Sequence, residues 1–151
     1  MLERLNKGSR EDWRTRGQGT LVEHIGVEIL EIDGDVVRSR LEVRPELMAP
    51  IGYLHAASVI ALADTTAGYG AWANLPEAAS GFTTLELKTN FIGTARSGSI
   101  ACEARLMHGG RSTQVWDAVV TIEDTGKKIA LFRCTQMILY AAEKRSPGTP
   151  R

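Results

Sequence analysis

One segment of the chain, residues 54–74, is mostly apolar and lacks the alternation of a β-strand. Alanine, leucine, isoleucine and tryptophan dominate it, and no proline interrupts it before Pro76. This pattern predicts one long helix that is apolar on nearly every face, and such a helix has to be buried on most sides. The remainder of the chain must therefore surround it.

Six runs of alternating residues flank this segment. Two precede it, at 25–32 and 36–43, and Asp33-Gly34-Asp35 between them is a strong hairpin signal. Four follow it, at 81–92, 99–108, 112–123 and 128–140, and the short links between them predict antiparallel neighbours. The alternation places two sets of residues on one face each: Leu85, Leu87, Thr89 and Phe91, and then Val115, Asp117, Val119 and Thr121.

The order of two strands, one helix and four strands predicts an α+β fold. The simplest way to bury the helix is a curved antiparallel sheet of about six strands wrapped around it. The outer face and the edges of that sheet would then need partner chains. We expect the folded domain to span residues 21–140, between a flexible arm at 1–20, with a short helix around 10–16, and a disordered tail at 141–151.

The charges balance, with 18 Lys and Arg against 18 Asp and Glu in 151 residues. This argues against a nucleic-acid partner, which normally requires a basic excess. The apolar segment is too short and too polar for a membrane span, and the N-terminus has no signal-peptide core, so we expect a cytoplasmic protein with no membrane partner. Cys102 and Cys134 fit no metal-ligand spacing, which predicts a free, buried pair and no metal site.

Asp64 is the one acidic residue of the predicted helix, and the residues one turn away from it in both directions are apolar. Burying an unpaired carboxylate is costly, and desolvation would raise its pKa and its basicity. Asp64 could instead face solvent or pair with a distant Arg105 or Arg133. The helix offers no polar face to which it would belong, so we interpret Asp64 as a functional residue.

Small residues line the face of the helix that carries Asp64, and two glycines, Gly68 and Gly70, lie within the helix. A glycine costs a helix about 1 kcal/mol relative to alanine, so a packing or functional reason is expected for each. Small side chains allow another chain or a ligand to come close. The lining residues are Ala57, Ala61, Gly68 and Ala71.

The start of the helix, Gly52-Tyr-Leu-His-Ala-Ala, offers no Ser, Thr, Asp or Asn as an N-cap. The amide groups of Ala56 and Ala57 are then free to polarise a carbonyl or bind an anion, unless water caps them. They lie about 11 Å from Asp64 along the helix axis. One helix thus carries a candidate oxyanion site near its tip and a carboxylate further down.

In this order of strands and helix, Gly52, His55 and the acid nine residues later resemble the hotdog-fold acyl-CoA thioesterases of the PaaI-like group, relatives of 4-hydroxybenzoyl-CoA thioesterase. The resemblance covers roughly residues 21–140. Members typically carry G-x-x-H-G-G before a long helix with Asp or Glu. Ala56 and Ala57 replace the two glycines here, and Ala49 stands where many members have Asn or Gln. The Phe-x-Arg-Pro that often follows the helix is altered to Phe-Ile-Gly-Thr.

The resemblance implies hydrolysis of a small, for example aromatic, acyl-CoA to the free acid and CoA. The Ala56 amide would polarise the thioester carbonyl, His55 would belong to the same catalytic set, and Asp64 would act as general base or as nucleophile. The implied substrate-binding residues are Gly52, Ala57, Thr65, Gly68, Phe82 and Thr83. The candidates for CoA binding, unless they only lie on solvated turns, are Asn90, Arg96, Gly110, Arg111 and Ser112. No cofactor is implied, because CoA is part of the substrate.

The resemblance also implies a homodimer that pairs into a dimer of dimers, because helix and pocket wall come from different subunits in the family. Two other functions compete with hydrolysis. A hotdog dehydratase would need a His five residues after the acid, where Tyr69 stands. A non-catalytic acyl-CoA-binding or regulatory protein is compatible with Ala49. Tyr69 and Trp72 could line an aromatic acyl pocket, although helix–sheet packing is the default for such residues.

Overall fold

The structure is a computed structural model, and it describes residues 15–141. Thr15 and Arg16 are helical, and two helices and six strands follow them in this part of the chain. In chain order they are α1 (Leu21–Ile25), β1 (Glu28–Asp33), β2 (Val36–Glu42), α2 (Ala56–Ala73), β3 (Ala79–Phe91), β4 (Ser99–Gly109), β5 (Thr113–Ile122) and β6 (Lys128–Tyr140). A single 3-10 turn, Pro45–Leu47, precedes α2. None of the helices within residues 15–141 is both long and apolar enough to cross a membrane.

The six strands form one antiparallel sheet in the order β1-β2-β4-β5-β6-β3. The chain leaves β2, runs through α2 and returns as β3 at the opposite edge. The sheet curves around α2, and all six strands contact the helix. The predicted α+β architecture, one long helix against an antiparallel sheet of six strands, is therefore confirmed. The predicted hairpin is also present, and Gly34 supplies its left-handed residue with a φ of 54°.

The core lies between the inner face of the sheet and α2. Leu62, Ala63 and Ala67 of the helix are fully buried, as is Trp116 of β5. A Cβ added at Gly70 would lie 2.4 Å from the Trp116 ring, so this glycine lets the helix rest on the indole. The small residues of α2 thus have a packing reason at Gly70. At Gly68 an added Cβ would meet only Phe82, at an ordinary 3.6 Å.

Several element boundaries differ from the expectations, among them those of β1, the long helix and the N-terminal arm. Ile25 belongs to α1, which no periodicity predicted, and β1 begins at Glu28. The long helix begins at Ala56 rather than Leu54, because His55 has an extended backbone with a ψ of 141° and Leu54 forms an isolated β-bridge with Met48. Residues 15–20 of the predicted arm are described and enter α1 through a hydrogen-bonded turn. The remainder of the arm, 1–14, and the predicted tail beyond residue 141 lie outside the described residues.

The predicted faces of two strands are correct except at one residue. Leu87, Thr89 and Phe91 pair with Cys134, Phe132 and Ala130, which are all buried, so these side chains are directed to the helix side of the sheet. A bulge between Thr84 and Glu86 takes Leu85 out of this alternation. On β5 the predicted set alternates with buried residues and therefore lies on the outer face: Val115, Asp117, Val119 and Thr121.

The two helix glycines make a matched test of this packing. We expect Gly70→Ala to lower the free energy of unfolding by about 1–3 kcal/mol, because the new methyl group overlaps the fully buried Trp116 ring. Gly68→Ala should leave stability unchanged or raise it by up to about 1 kcal/mol through helix propensity. Urea unfolding of both variants measures the difference. Equal stability of the two would contradict the assigned helix–Trp116 contact.

Candidate active site

The Asp64 carboxyl lies on α2 in a half-buried position. Its Oδ1 atom is buried and has no hydrogen-bond partner within residues 15–141. Burial raises the pKa of this carboxyl above its ordinary value, and in this part of the chain no neighbouring cation counteracts the effect. The alternative of a pair with Arg105 or Arg133 is wrong, because Arg105 is paired with Glu103 and Arg133 with Asp117. Of the solvent-facing alternative, the structure excludes contact with solvent for Oδ1 only, since the residue as a whole is half-buried.

A cavity of about 320 Å³, called the Asp64 pocket here, opens beside this carboxyl. Asp64, Gly68 and Trp72 follow each other at intervals of four residues along one face of α2. The rings of Trp72 and Phe82 meet edge to face, with centroids 6.2 Å apart, and close one side. The lining is mostly apolar and aromatic: Arg16, Val22, Asp64, Thr65, Gly68, Tyr69, Trp72, Phe82 and Thr84.

Of the predicted substrate-binding residues, the structure places Thr65, Gly68 and Phe82 on the wall of the Asp64 pocket. Thr83 is wrong for this pocket, because neighbouring strand residues point to opposite faces and Thr84 lies on the same side as Phe82. Thr83 is exposed and absent from the pocket wall. Strand alternation applied to Phe82 would have selected Thr84 from the sequence.

The start of α2 differs from the expectation of an uncapped helix. His55 is the N-cap, and its Nδ1 accepts a hydrogen bond from the Ala57 amide at 2.9 Å. The Ser58 and Val59 amides donate to the His55 carbonyl. Ala57 is thus occupied as a donor, which corrects its assignment to substrate. The Ala56 amide has no such partner among the described residues, and the side chain of Ala56 is exposed.

Gly52 and Arg96 lie together beside this helix start. Gly52 has a φ of +87°, a conformation that favours glycine. The Arg96 guanidinium donates to the Gly52 carbonyl at 3.0 Å and lies over the Tyr53 ring, 5.7 Å from its centroid. Because the rest of this side chain is exposed, its remaining donors can serve a ligand at the helix start.

The other candidates for CoA binding lie elsewhere. The turn at 110–112 joins β4 to β5, and Leu106 beside it donates to Asp35 of the β1–β2 hairpin. The same hairpin accepts a hydrogen bond from Asn74, the C-cap of α2, so this turn is at the far end of the helix from Arg96. Asn90 pairs with Leu131 and faces the outer side of the sheet.

One chain therefore brings together two separate groups. Asp64 is grouped with the aromatic pocket, and Ala56 is grouped with His55, Gly52 and Arg96 at the helix start. Eight residues of helix separate Ala56 from Asp64, about 12 Å along the axis. The Asp64 pocket has none of the helix-start residues in its wall.

Sequence reasoning missed three residues of the pocket wall, Arg16, Val22 and Thr84, and gave two more, Tyr69 and Trp72, only as an alternative to core packing. The helix face that carries Asp64 and Gly68 continues to Trp72, which favours the pocket alternative. Arg16 and Val22 come from the segment before β1 and cross over α2, and no local pattern signals this contact. The two cysteines are buried and free as predicted, and burial raises the pKa of each thiol to about 12.

The fold and this carboxyl-bearing helix define a hotdog protein with a candidate hydrolytic site. Residues 51–129 match the thioesterase superfamily, and the chain belongs to that family. The predicted resemblance to hotdog thioesterases is confirmed. The match begins at the loop before α2 and includes both Ala56 and Asp64.

One curated relative and two solved structures show what the chain is similar to. The chain is 33% identical to a 1,4-dihydroxy-2-naphthoyl-CoA hydrolase of Listeria monocytogenes over 76% of its own length and 92% of the relative. Thioesterase HI1161 of Haemophilus influenzae superposes with a TM-score of 0.85 at 25% identity, covering 93% of this chain and 97% of the other. The PaaI protein of E. coli shares the fold, with a TM-score of 0.75 at 17% identity, over 87% and 92% of the two chains.

The raised pKa of Asp64 predicts how stability depends on pH. Folding favours the protonated carboxyl, so the charged form costs stability, increasingly as pH rises from the ordinary pKa of 3.8 through the folded value. We expect Asp64→Asn to be more stable than the natural protein at pH 7 and the difference to disappear below pH 3.8. Unfolding free energies across this range test it. A less stable Asn variant at pH 7 would contradict the assigned burial.

Proposed function

We propose that this protein hydrolyses the thioester bond of an aromatic acyl-CoA to the free acid and CoA. The observation that carries the proposal is the unpaired, half-buried Asp64 carboxyl beside an aromatic pocket, on the long helix of a thioesterase superfamily member. The relative named as a 1,4-dihydroxy-2-naphthoyl-CoA hydrolase supports an aromatic acyl group. CoA chemistry is intracellular, which agrees with the expected cytoplasmic location.

In the proposed reaction the acyl group lies in the Asp64 pocket and the thioester carbonyl accepts a hydrogen bond from an Ala56 amide. Asp64 acts as general base, taking a proton from the water that attacks the carbonyl carbon, or attacks that carbon itself to form an anhydride that water then opens. The carbon–sulfur bond breaks and the CoA thiolate leaves. Desolvation favours both roles, because a carboxylate with a raised pKa is a stronger base.

The separation of Asp64 from its own Ala56 leads us to propose that two copies of the chain form each site. β3 is a 13-residue edge strand, and nothing in residues 15–141 pairs with its outer side. Leu87 and Phe91 of this strand are directed to the helix side of the sheet and are nevertheless exposed, and the adjacent Leu85 and Ile92 are exposed as well. A long apolar edge of this kind is normally covered by another chain.

A two-fold axis beside β3 would place the β3 strands of two copies antiparallel to each other. The two α2 helices would then also run antiparallel, and the N-terminus of one would approach the Asp64 of the other. An Ala56 amide and an Asp64 carboxyl from different copies would flank one thioester. Arg96, beside the same helix start, is then placed to hold a CoA phosphate. A dimer of dimers would use a further surface.

One observation favours a second function, binding of acyl-CoA without hydrolysis. Ala49 stands in the loop before α2, where the family often has Asn or Gln, and its methyl group cannot hydrogen-bond a substrate or water. Its backbone is ordered by a hydrogen bond to the Tyr53 carbonyl at 2.7 Å. The two functions differ in whether free CoA appears.

A panel of acyl-CoA esters assayed with a thiol reagent for released CoA tests the proposal. We expect the natural protein to release CoA from benzoyl-CoA and 1,4-dihydroxy-2-naphthoyl-CoA faster than from acetyl-CoA. Asp64→Asn should lower kcat by roughly 10²- to 10⁴-fold, the usual contribution of a positioned base. Asp117→Asn, which removes a carboxyl from the outer face, is the matched control and should keep its activity.

Two results would count against the proposal. Undiminished turnover by Asp64→Asn would remove Asp64 from the mechanism. Binding of acyl-CoA by the natural protein without release of CoA from any member of the panel would favour the non-catalytic function.

A further inference from the structure

We propose that Arg16 is a specificity-determining residue that selects flat acyl groups with a hydrogen-bond acceptor at the end opposite the thioester. The inference rests on the proposed function, because it assigns the far end of the acyl group to the Asp64 pocket. Such an acceptor could be a phenolic hydroxyl or a carboxylate. Both would receive hydrogen bonds from the same guanidinium.

Arg16 lines the same cavity as Asp64 and lies over the Trp72 ring, 5.4 Å from its centroid. Among residues 15–141 no carboxylate or carbonyl accepts a hydrogen bond from it. A guanidinium carries five N–H donors in one plane, and a ring beneath that plane leaves the donors at its rim available. The pocket wall therefore carries a charged group whose N–H donors can bind an acceptor on a ligand.

Arg16 and Asp64 occupy opposite ends of the pocket. The Arg16 guanidinium lies over the Trp72 ring and is therefore placed at the Tyr69 and Trp72 end of the pocket wall. Asp64 and Trp72 are eight residues apart on α2, about 12 Å along the axis. An acyl group that has its carbonyl at Asp64 extends toward Arg16.

The walls between these ends suit a flat group. Trp72 and Phe82 stand edge to face with an interplanar angle of 67°, and Gly68 leaves the space next to Phe82 open. Aromatic rings pack well in such a slot. The aromatic walls thus define the shape of the acyl group, and Arg16 adds a charged donor at its far end.

The segment that carries Arg16 is held against the domain. A Cβ added at Gly17 would lie 3.2 Å from the Val22 side chain, so the chain turns tightly there, and the Thr20 hydroxyl donates to the Gly17 carbonyl at 2.7 Å. At the other end of α1 the Arg44 guanidinium donates to the carbonyls of His24 and Ile25, both at 2.5 Å. These contacts hold the turn after Arg16 and the end of α1 in place, and α1 in turn contacts α2.

The test compares kcat/KM for benzoyl-CoA, 4-hydroxybenzoyl-CoA and 4-carboxybenzoyl-CoA in the natural protein and in Arg16→Met, which keeps a long apolar side chain over Trp72. We expect the preference for the better acceptor-bearing ester over benzoyl-CoA to fall by roughly 10- to 100-fold, mainly through KM, as for the loss of a charge-assisted hydrogen bond. The ester whose preference falls more identifies the acceptor as hydroxyl or carboxylate. Arg105→Met, on the outer face of the sheet, is the matched control and should keep the preference.

An equal loss on all three esters in Arg16→Met would overturn the role of Arg16 and leave the proposed hydrolysis intact. Calorimetry with the corresponding non-hydrolysable thioethers of CoA measures the preference in binding alone. It therefore tests the role of Arg16 even if the protein hydrolyses none of the esters. If the natural protein hydrolyses none of the esters but Arg16→Met still loses the preference in binding, hydrolysis fails and the role of Arg16 stands. Equal binding of the three thioethers by the natural protein would overturn the inference as well.

Discussion

The burial of one carboxyl on an apolar helix, with no counter-charge from the described part of the chain, is the constraint on which the rest of this structure depends. The α2 helix is surrounded by six strands and offers no polar face, yet Asp64 is retained in it with one oxygen buried and unpaired. Such a group costs stability in its charged form. Natural proteins retain a costly group of this kind where it serves a function. The pocket beside Asp64 supplies the space in which a substrate could use it.

The same helix also separates the two groups that thioester hydrolysis needs. An amide that polarises the carbonyl lies at the N-terminus of α2, and the carboxyl lies two turns further along. A thioester is much shorter than this distance, so one chain cannot place both groups on it. The exposed apolar residues of β3 on the helix side of the sheet offer a physical solution, because a second chain that covers this edge would bring its own helix start to the carboxyl. Folding, assembly and catalysis are thereby linked through one edge strand.

Much of the architecture could be predicted from the sequence because its signals are local. The alternating runs, the Asp-Gly hairpin and the unbroken apolar segment each contain their own period or turn chemistry, and β6 was predicted to the residue. Asp64 could be singled out because a charge in an apolar helix is an exception visible in one window. Gly68 could be singled out in a similar way, because a glycine inside a helix is also an exception visible in one window.

The other features depend on contacts that no window contains. The contact of Arg16 with the pocket arises from a chain crossing. The bulge at Glu86 that displaced Leu85 depends on pairing with β6. His55 acts as the N-cap although His is an uncommon residue there, so the preference for Ser, Thr, Asp and Asn gave the wrong prediction. Asn90 and the 110–112 turn lie away from Arg96 within one chain because their places in the sheet are set by long-range register, so their grouping with CoA stays a prediction.

Mixing two inactive variants measures the central claim, a site shared between copies. Ala56→Pro removes the amide donor at the first helical position, where proline fits and His55 already has the extended backbone that precedes it. Asp64→Asn removes the carboxyl. If the chains are unfolded together and refolded in equal amounts, about half of the dimers are mixed and each has one intact site, so about a quarter of the natural activity should return. A mixture as inactive as its parents would show that the amide and the carboxyl of one chain act together, contrary to the shared site.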